Sequence, residues 1–136
     1  MRQMHIALGL IKQGDNYLFQ FRNGDPKIGA AGLIGCFGGK IDEGEDPIAT
    51  FCREIYEETA LQPTPQEVKS LGIVNVRSDH NLEPVQVTGH VFHWELKSTE
   101  FPEIKEGELV IYSQDEVLAN INKLTPATRA VFEELM

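Results

Sequence analysis

The chain has 136 residues, 41% of them hydrophobic and 24% charged, a composition that is ordinary for a soluble globular protein. This length favours a single domain over residues 1–136 with a core of its own. With 12 Lys and Arg residues against 21 Asp and Glu residues, the net charge of −9 argues against passive binding to a nucleic-acid polymer, which needs a basic surface. The longest apolar run, residues 6–11, is too short to span a membrane and lacks the flanks of a signal peptide. We therefore expect a cytoplasmic protein without a membrane partner.

Two strands are predicted near the start of the chain, at residues 4–13 and 17–22, with a hairpin turn at Gly14-Asp15-Asn16 between them. Neither face of the first strand is polar, which is typical of a central strand covered on both sides. Residues 23–33 carry several glycines and a proline, so we predict a loop over the functional site there.

A short strand at Cys36-Phe37 leads into a glycine pair and then into a helix. Gly38 and Gly39 allow a backbone conformation or a close approach that a Cβ atom would block. Asp46 fits the N-cap of the helix, and Pro47 fits its first position, where the missing N–H costs nothing.

The helix is predicted to carry three carboxylates on one narrow face. Glu54, Glu57 and Glu58 follow the spacing i, i+3, i+4 and therefore lie on the same side. Like charges at this spacing destabilise a helix by a few tenths of a kcal/mol, so fold stability does not explain them. A divalent cation such as Mg²⁺ does, because it gathers several carboxylate oxygens. The alternative is a solvated acidic face. The side predicted to be buried consists of Ile48, Phe51, Cys52, Ile55 and Thr59.

Beyond the helix, Pro63 and Pro65 end helical geometry. Two further strands are predicted at residues 68–76 and 85–96, with a turn at residues 79–81 between them.

The last third of the chain begins with a polar segment, residues 97–108, which we call the late loop. Residues 109–112 are predicted to form a short strand or the approach to a helix. The capping box Ser113-Gln114-Asp115-Glu116 then opens a helix through about residue 122. Thr125-Pro126 starts the last helix, on which one apolar stripe carries Ala127, Val131 and Leu135.

The stretch from Gly39 to Leu61 resembles the Nudix signature, G-x5-E-x7-R-E-U-x-E-E-x-G-U, in which U is apolar. The resemblance implies an α+β fold in which a mixed, curved sheet lies between helices, an α/β/α sandwich. Ala60 departs from the signature, because the family usually has Gly at this helix end. The residues in register are Gly39, Glu45, Arg53, Glu54, Ile55, Glu57, Glu58 and Leu61.

The resemblance also implies an activity, the Mg²⁺- or Mn²⁺-dependent hydrolysis of a nucleoside diphosphate linked to another moiety. Glu57 and Glu58 are the predicted metal ligands, and the Gly39 carbonyl is the family's usual backbone ligand. Glu54 is either a third ligand or the base that takes the proton of the attacking water.

Other residues around the signature receive supporting roles. Arg53 is expected to pair with Glu45 and so to join the loop to the helix. Lys40 either lies near phosphate or is a solvated loop charge. In the late loop, Glu106 and Glu108 are candidates for one more metal carboxylate and are better placed than Glu103, with solvated acids as the alternative.

The remaining chemistry-bearing residues form no second constellation. Cys36 and Cys52 have neither ligand spacing nor a disulfide framework. The four histidines are too scattered for a zinc site, and His90 and His93 should face opposite sides of one strand. Five residues either line a base pocket or pack in the core: Phe19, Phe21, Arg22, Phe92 and Trp94.

The leading interpretation is a pyrophosphohydrolase that attacks phosphorus in a small nucleotide. The candidate substrates are an ordinary or modified nucleoside triphosphate, an NDP-sugar or ADP-ribose, and a dinucleoside polyphosphate. A Nudix-fold nucleotide-binding or regulatory module without catalysis is the alternative, although such modules usually lose signature glutamates. A plain acidic domain is a third interpretation, and the sequence leaves a homodimer open.

Overall fold

Strand β1 (Arg2–Gln13) lies at the centre of a seven-stranded mixed sheet. The computed structural model describes residues 1–22, 32–80 and 83–136. β1 pairs in parallel with β6 and antiparallel with β2 and β4, while β5 pairs with β6, and β3 and β7 both pair with β2. The other strands are β2 (Asn16–Phe21), β3 (Ile34–Gly35), β4 (Phe37–Lys40), β5 (Lys69–His80), β6 (Glu83–Glu95) and β7 (Glu108–Ser113).

The centre of β1 is buried on both faces, which explains its unbroken apolar run. Ala7 and Ile11 belong to one hydrophobic core, and Leu8 and Leu10 belong to the other. Successive residues of a strand point to opposite faces, so one strand contributes to both cores. The prediction of a central, doubly covered strand is confirmed.

Helices cover both faces of the sheet. On one face, Phe51 and Ile55 of the first helix are completely buried. On the other, Val117 and Val131 of the C-terminal helices are completely buried. This arrangement confirms the α+β fold and the α/β/α sandwich. No described helix is long and apolar enough to cross a membrane. The helices are α1 (Pro47–Thr59), α2 (Gln114–Ala119) and α3 (Pro126–Ala130), which continues as a π-helical turn, Val131–Leu135.

Several boundaries differ from the predicted ones. β1 begins two residues earlier, at Arg2, because its ladder with β6 already starts there. β5 runs on to His80, because its pairing with β6 extends to the last described pair, His80 with Glu83. The backbone of Asn120 leaves the helical region with φ −115°, so α2 ends at Ala119 rather than near residue 122. The predicted loop at residues 23–33 lies, except for its last two residues, outside the described part of the chain.

A threonine pair attaches α3 to the segment that leads into the glycines. The Thr125 N–H donates to the Ile34 carbonyl at 2.8 Å, and the Cys36 N–H donates to Thr128 Oγ1 at 2.9 Å. Thr125 also caps α3, since its side chain accepts a hydrogen bond from the Thr128 N–H. The start of α3 is thus fixed close to Gly38 and Gly39.

Candidate active site

Helix α1 begins where the sequence predicts. Pro47 is its first residue, as predicted, and Asp46 occupies the N-cap position. The Asp46 side chain makes no cap hydrogen bond, however. Its carbonyl accepts instead from the Thr50 N–H at 2.9 Å and from Thr50 Oγ1 at 3.2 Å. The predicted N-cap position is confirmed, and the backbone of Asp46 rather than its side chain makes the hydrogen bonds there.

The C-terminal end of α1 has a left-handed residue at the position where the chain departs from the signature. Ala60 has φ 62°, and its N–H donates to the Tyr56 carbonyl at 2.9 Å. Ala60 thus adopts the left-handed conformation that Gly takes without strain, at a cost of about 1 kcal/mol. The helix thus ends in the backbone conformation for which Gly is the usual residue.

The space around the two glycines of β4 leaves no room for a side chain at either position. Gly38 has φ +154°, and a Cβ atom there would collide with the Ala7 carbonyl oxygen. A Cβ atom on Gly39 would lie 2.6 Å from Glu54 Oε1 and 2.7 Å from Glu54 Oε2. The missing side chain at Gly39 therefore lets the Glu54 carboxylate lie directly against the β4 backbone.

Arg53 connects the loop before α1 to the carboxylates on it. Its Nε and Nη2 atoms donate to the two oxygens of Glu45, each at 2.9 Å, in a two-point pair. Its Nη1 atom donates to Glu54 Oε1 at 3.0 Å and lies 3.3 Å from Glu57. The hydrogen bonds from Arg53 and then from Thr50 lower the pKa of Glu45 to about 2. The expected pairing of Arg53 with Glu45 is present in the structure.

Glu58 is a partly buried carboxylate on α1. Its Oε2 atom is buried and has no hydrogen-bond partner among the described residues. Burial, and then the neighbouring charge of Glu54, raise the pKa of Glu58 to about 8. A buried carboxylate oxygen that has no hydrogen-bond donor and lies beside a second carboxylate is unfavourable unless a cation binds it.

The late loop brings one further carboxylate to Glu58. The Lys105 N–H donates to the Glu58 carbonyl at 3.1 Å, and Gln20 Nε2 donates to the Glu106 carbonyl at 2.7 Å. The charge of Glu106 contributes to the raised pKa of Glu58. Glu108 is the exposed first residue of β7, opposite Phe21. Of the two late-loop candidates, Glu106 is the one whose charge acts on Glu58.

A cleft of about 360 Å³ opens beside the glycines on the face of the sheet that α3 covers. Its cationic lining residues are Arg2, Arg22 and Lys40, and the start of α3 forms one wall. Part of the lining is aliphatic and comes from β1, β5 and β6: Met4, Ile6, Leu8, Val76, Val85 and Val87.

The structure separates the residues that were considered for a base pocket. Phe19, Phe92 and Trp94 are buried in the two cores, and Phe21 packs against one of them. Core packing is thus the role of these aromatic residues, and Arg22 alone of the five lines the cleft.

The histidines and cysteines form no rival site in the described residues. The rings of His5 and His90 lie 6.2 Å apart, and burial raises the pKa of the Cys36 thiol to about 12. No three His, Cys, Asp or Glu side chains among the described residues are grouped as a ready metal cage.

The residues around Glu58 nevertheless fit a divalent cation. The donor set consists of carboxylate oxygens, which are the ligands that Mg²⁺ prefers. The buried, unpartnered Oε2 atom of Glu58 is one such acceptor, and the Gly39 backbone lies close to the Glu54 carboxylate. Glu57, which is 53% exposed, can turn from Arg53 toward an ion.

The family model described as the NUDIX domain matches residues 3–135, so the chain belongs to the Nudix family. No curated protein matches the chain significantly.

Three solved structures show the same fold at low sequence identity. A MutT protein from Methanosarcina mazei Go1 is 22% identical with a TM-score of 0.78, and the match covers 98% of this chain and 93% of that one. A MutT NUDIX hydrolase from Burkholderia pseudomallei is 24% identical with a TM-score of 0.74, and the match covers both chains completely, at 100%. A bifunctional NMN adenylyltransferase/ADP ribose pyrophosphatase from Francisella tularensis, complexed with AMP and a Mn ion, is 16% identical with a TM-score of 0.70. That match covers 98% of this chain and 42% of the other.

Sequence reasoning missed one residue that bears on the site. Gln20 holds the late loop through the Glu106 carbonyl, and no motif marks it. Its position two residues before Arg22, which was considered for a base pocket, is the only signal in the sequence that could have linked it to the cleft.

Proposed function

We propose that this protein is a Mg²⁺- or Mn²⁺-dependent hydrolase that cleaves the pyrophosphate linkage of a nucleoside diphosphate joined to another moiety. Water attacks phosphorus in this reaction. The observation that carries the proposal is the complete set of Glu54, Glu57 and Glu58 on α1, with Arg53 bound to Glu45 beside them. The set lies next to a cleft that opens at Gly39.

The residues of the candidate active site have separate tasks in this reaction. Glu57, Glu58 and the Gly39 carbonyl would hold the metal, which when bound supplies positive charge to the pyrophosphate oxygens. Glu54 is a further ligand or accepts the proton of the attacking water. Arg53 holds Glu54 Oε1 at 3.0 Å, which leaves Oε2 available for this task.

The cleft supplies the place for the rest of the substrate. Its aliphatic lining suits the weakly polar part of a nucleoside or of the group linked to it, and its cationic residues Arg2, Arg22 and Lys40 suit a phosphate-bearing ligand. The candidate substrates are nucleoside triphosphates, NDP-sugars or ADP-ribose, and dinucleoside polyphosphates. The Francisella tularensis protein, 42% of which the match covers, was crystallised with AMP and a Mn ion, the two kinds of ligand that the proposal requires.

A panel of these nucleotides tests the proposal with the Glu57→Gln variant. We expect the wild type to release phosphate, pyrophosphate or a nucleoside monophosphate only when Mg²⁺ or Mn²⁺ is present. Glu57→Gln removes a ligand charge and should lower kcat by about 10²- to 10³-fold.

The matched control is Glu133→Gln, which makes the same chemical change in an exposed ion pair with Arg129. It should leave kcat unchanged, and circular dichroism should show both variants folded. The proposal fails if the wild type has no metal-dependent turnover of any nucleotide in the panel. Tight nucleotide binding without turnover would instead indicate a binding module.

A further inference from the structure

The end of the late loop, residues 105–108, joins the end of α1 to the end of β2, and we call it the bridge segment. At one end, the Lys105 N–H donates to the Glu58 carbonyl at 3.1 Å. At the other end, Glu108 begins β7 and pairs with Phe21 on β2. Because both ends are attached, the two residues between them have little freedom to move.

Gly107 brings the bridge segment into direct contact with the β2 backbone. Its φ of +71° lies in the left-handed region that favours glycine. A Cβ atom there would collide with the Phe21 carbonyl oxygen and would lie 3.3 Å from Gln20 Cγ. The missing side chain therefore lets the segment lie against the last two residues of β2.

Gln20 holds the bridge segment from the face of the sheet that α1 covers. Leu18, two residues earlier on β2, belongs to the same core as Phe51 of α1, so the Gln20 side chain points to that face as well. Gln20 Nε2 donates to the Glu106 carbonyl at 2.7 Å. This hydrogen bond fixes the backbone from which the Glu106 side chain starts and leaves its carboxylate unoccupied.

The attachment of Glu106 brings a second acid close to Glu58. Burial is the main cause of the raised pKa of Glu58, and the charge of Glu106 adds to it. Two acids held near each other repel, so fold stability does not explain the attachment. A divalent cation does explain it, because such an ion is bound by several carboxylate oxygens.

We propose that Gln20 is a positioning residue that holds the Glu106 carboxylate at the metal site of Glu57 and Glu58, an inference that rests on the proposed function. Gln20 acts through the Glu106 backbone and touches neither the metal nor the substrate. Side chains that orient a metal ligand in this way change metal affinity by about 10- to 100-fold.

Equilibrium binding of Mn²⁺ without nucleotide tests this proposal. Gln20→Met removes the donor and keeps a side chain of similar length, and it should weaken Mn²⁺ binding, measured by calorimetry, by about 10-fold. The melting temperature should change little, because the hydrogen bond is exposed and water replaces the lost donor. Gln20→Ala removes the same donor and keeps the test decisive if Gln20→Met does not fold.

Gln13→Met is the matched control, because Gln13 holds the other end of the late loop. Its Nε2 atom donates to the Ser98 carbonyl at 2.7 Å and to the Glu100 carbonyl at 2.9 Å. The same chemical change thus removes loop hydrogen bonds at a distance from Glu106 and should keep the Mn²⁺ affinity of the wild type. Equal losses of affinity in the two variants would show that the loop needs only general attachment, which overturns the inference.

A double-mutant cycle shows whether Gln20 acts through Glu106. Glu106→Gln should itself weaken Mn²⁺ binding, and the addition of Gln20→Met should cause no further loss. Additive losses overturn the inference. A Glu106→Gln variant with the Mn²⁺ affinity of the wild type overturns it as well.

Hydrolysis assays separate this inference from the proposed function. Gln20→Met should raise the half-saturating Mn²⁺ concentration and leave the KM for the nucleotide unchanged at saturating Mn²⁺. If the Mn²⁺ affinities differ as expected but no nucleotide is hydrolysed, the proposed function fails and the inference stands. If nucleotides are hydrolysed and Gln20→Met binds Mn²⁺ as the wild type does, the reverse holds.

Discussion

Burial and the neighbouring carboxylate of Glu54 both change the pKa of Glu58 in the same direction. Both raise the pKa, from 4.5 to about 8, because both disfavour the ionised form. Without metal, the folded protein therefore retains a proton that the unfolded chain releases above about pH 4.5. The folded state binds more protons in this window, so the contribution of Glu58 to the free energy of unfolding falls as the pH rises toward 8.

The fall in the free energy of unfolding with rising pH gives a prediction for the metal-free protein. Between pH 5 and pH 8, the wild type should lose stability relative to Glu58→Gln, whose side chain does not titrate. Urea unfolding in EDTA at several pH values measures the difference. Mg²⁺ should restore stability at pH 8 only in the wild type, because it binds the ionised carboxylate. Parallel pH curves for the two proteins would contradict a proton on Glu58.

Single residues were predictable from the sequence where their geometry is local. The common face of Glu54, Glu57 and Glu58 follows from helical spacing alone, and α1 is a helix over the whole stretch. The place of Arg22 depends on contacts between β2, the late loop and the cleft, which spacing does not encode. For the same reason, the sequence could not say which of Glu106 and Glu108 carries the charge that acts on Glu58.

At the scale of elements, Arg53 determines how the loop before α1 is held against the helix. It is joined to Glu45 in the loop and to Glu54 on α1 by hydrogen bonds of 2.9–3.0 Å. A lysine keeps the charge but has a single nitrogen, so it cannot bind both oxygens of Glu45 and also reach Glu54.

Arg53→Lys should therefore impair the arrangement of the carboxylates more than the fold. We expect kcat to fall by about 10- to 100-fold and the half-saturating Mg²⁺ concentration to rise. The change in melting temperature should be small, because the pair is partly exposed to solvent. Arg129→Lys makes the same change in the exposed pair with Glu133 and is the control. Equal kinetics for the two variants would contradict a specific role of Arg53.

Element boundaries show the same division between local and distant causes. The capping box of Ser113 and Glu116 forms both of its hydrogen bonds, so residues 113–116 were enough to predict the start of α2. The extension of β5 to His80 depends on pairing with β6 and could not be read from β5 alone.

At the scale of the whole molecule, the proposed metal ligands and the cleft lie on different layers of the sandwich. The layer of α1 carries the proposed metal ligands, and the layer of α2 and α3 bounds the cleft. β1 lies between the layers and contributes to both cores. Hydrophobic periodicity predicts the elements but not the way in which layers stack, so the sandwich was expected from the resemblance of the signature alone.

Gly9 sets the distance between β1 and the α1 layer. A Cβ atom there would lie 2.7 Å from Phe51 Cζ and 3.0 Å from the Phe92 carbonyl oxygen. Phe51 is completely buried, so its ring has no free space to enter. Gly9→Ala should push α1 away from the sheet and destabilise the protein by about 1–3 kcal/mol.

Displacement of α1 should also change the metal site, since α1 carries Glu57 and Glu58. The half-saturating Mg²⁺ concentration of Gly9→Ala should rise at temperatures where the variant remains folded. Gly89→Ala is the matched variant on the other face, where a Cβ atom would lie 2.9 Å from Leu8 Cδ2 and 3.1 Å from Val74 Cγ2. Both contacts are longer than the nearest one at Gly9, and the nearer of the two is the end of the Leu8 side chain in the other core. Gly89→Ala should therefore cost less stability and keep the Mg²⁺ dependence of the wild type. Equal shifts in Mg²⁺ dependence for both variants would show that the two layers do not act separately.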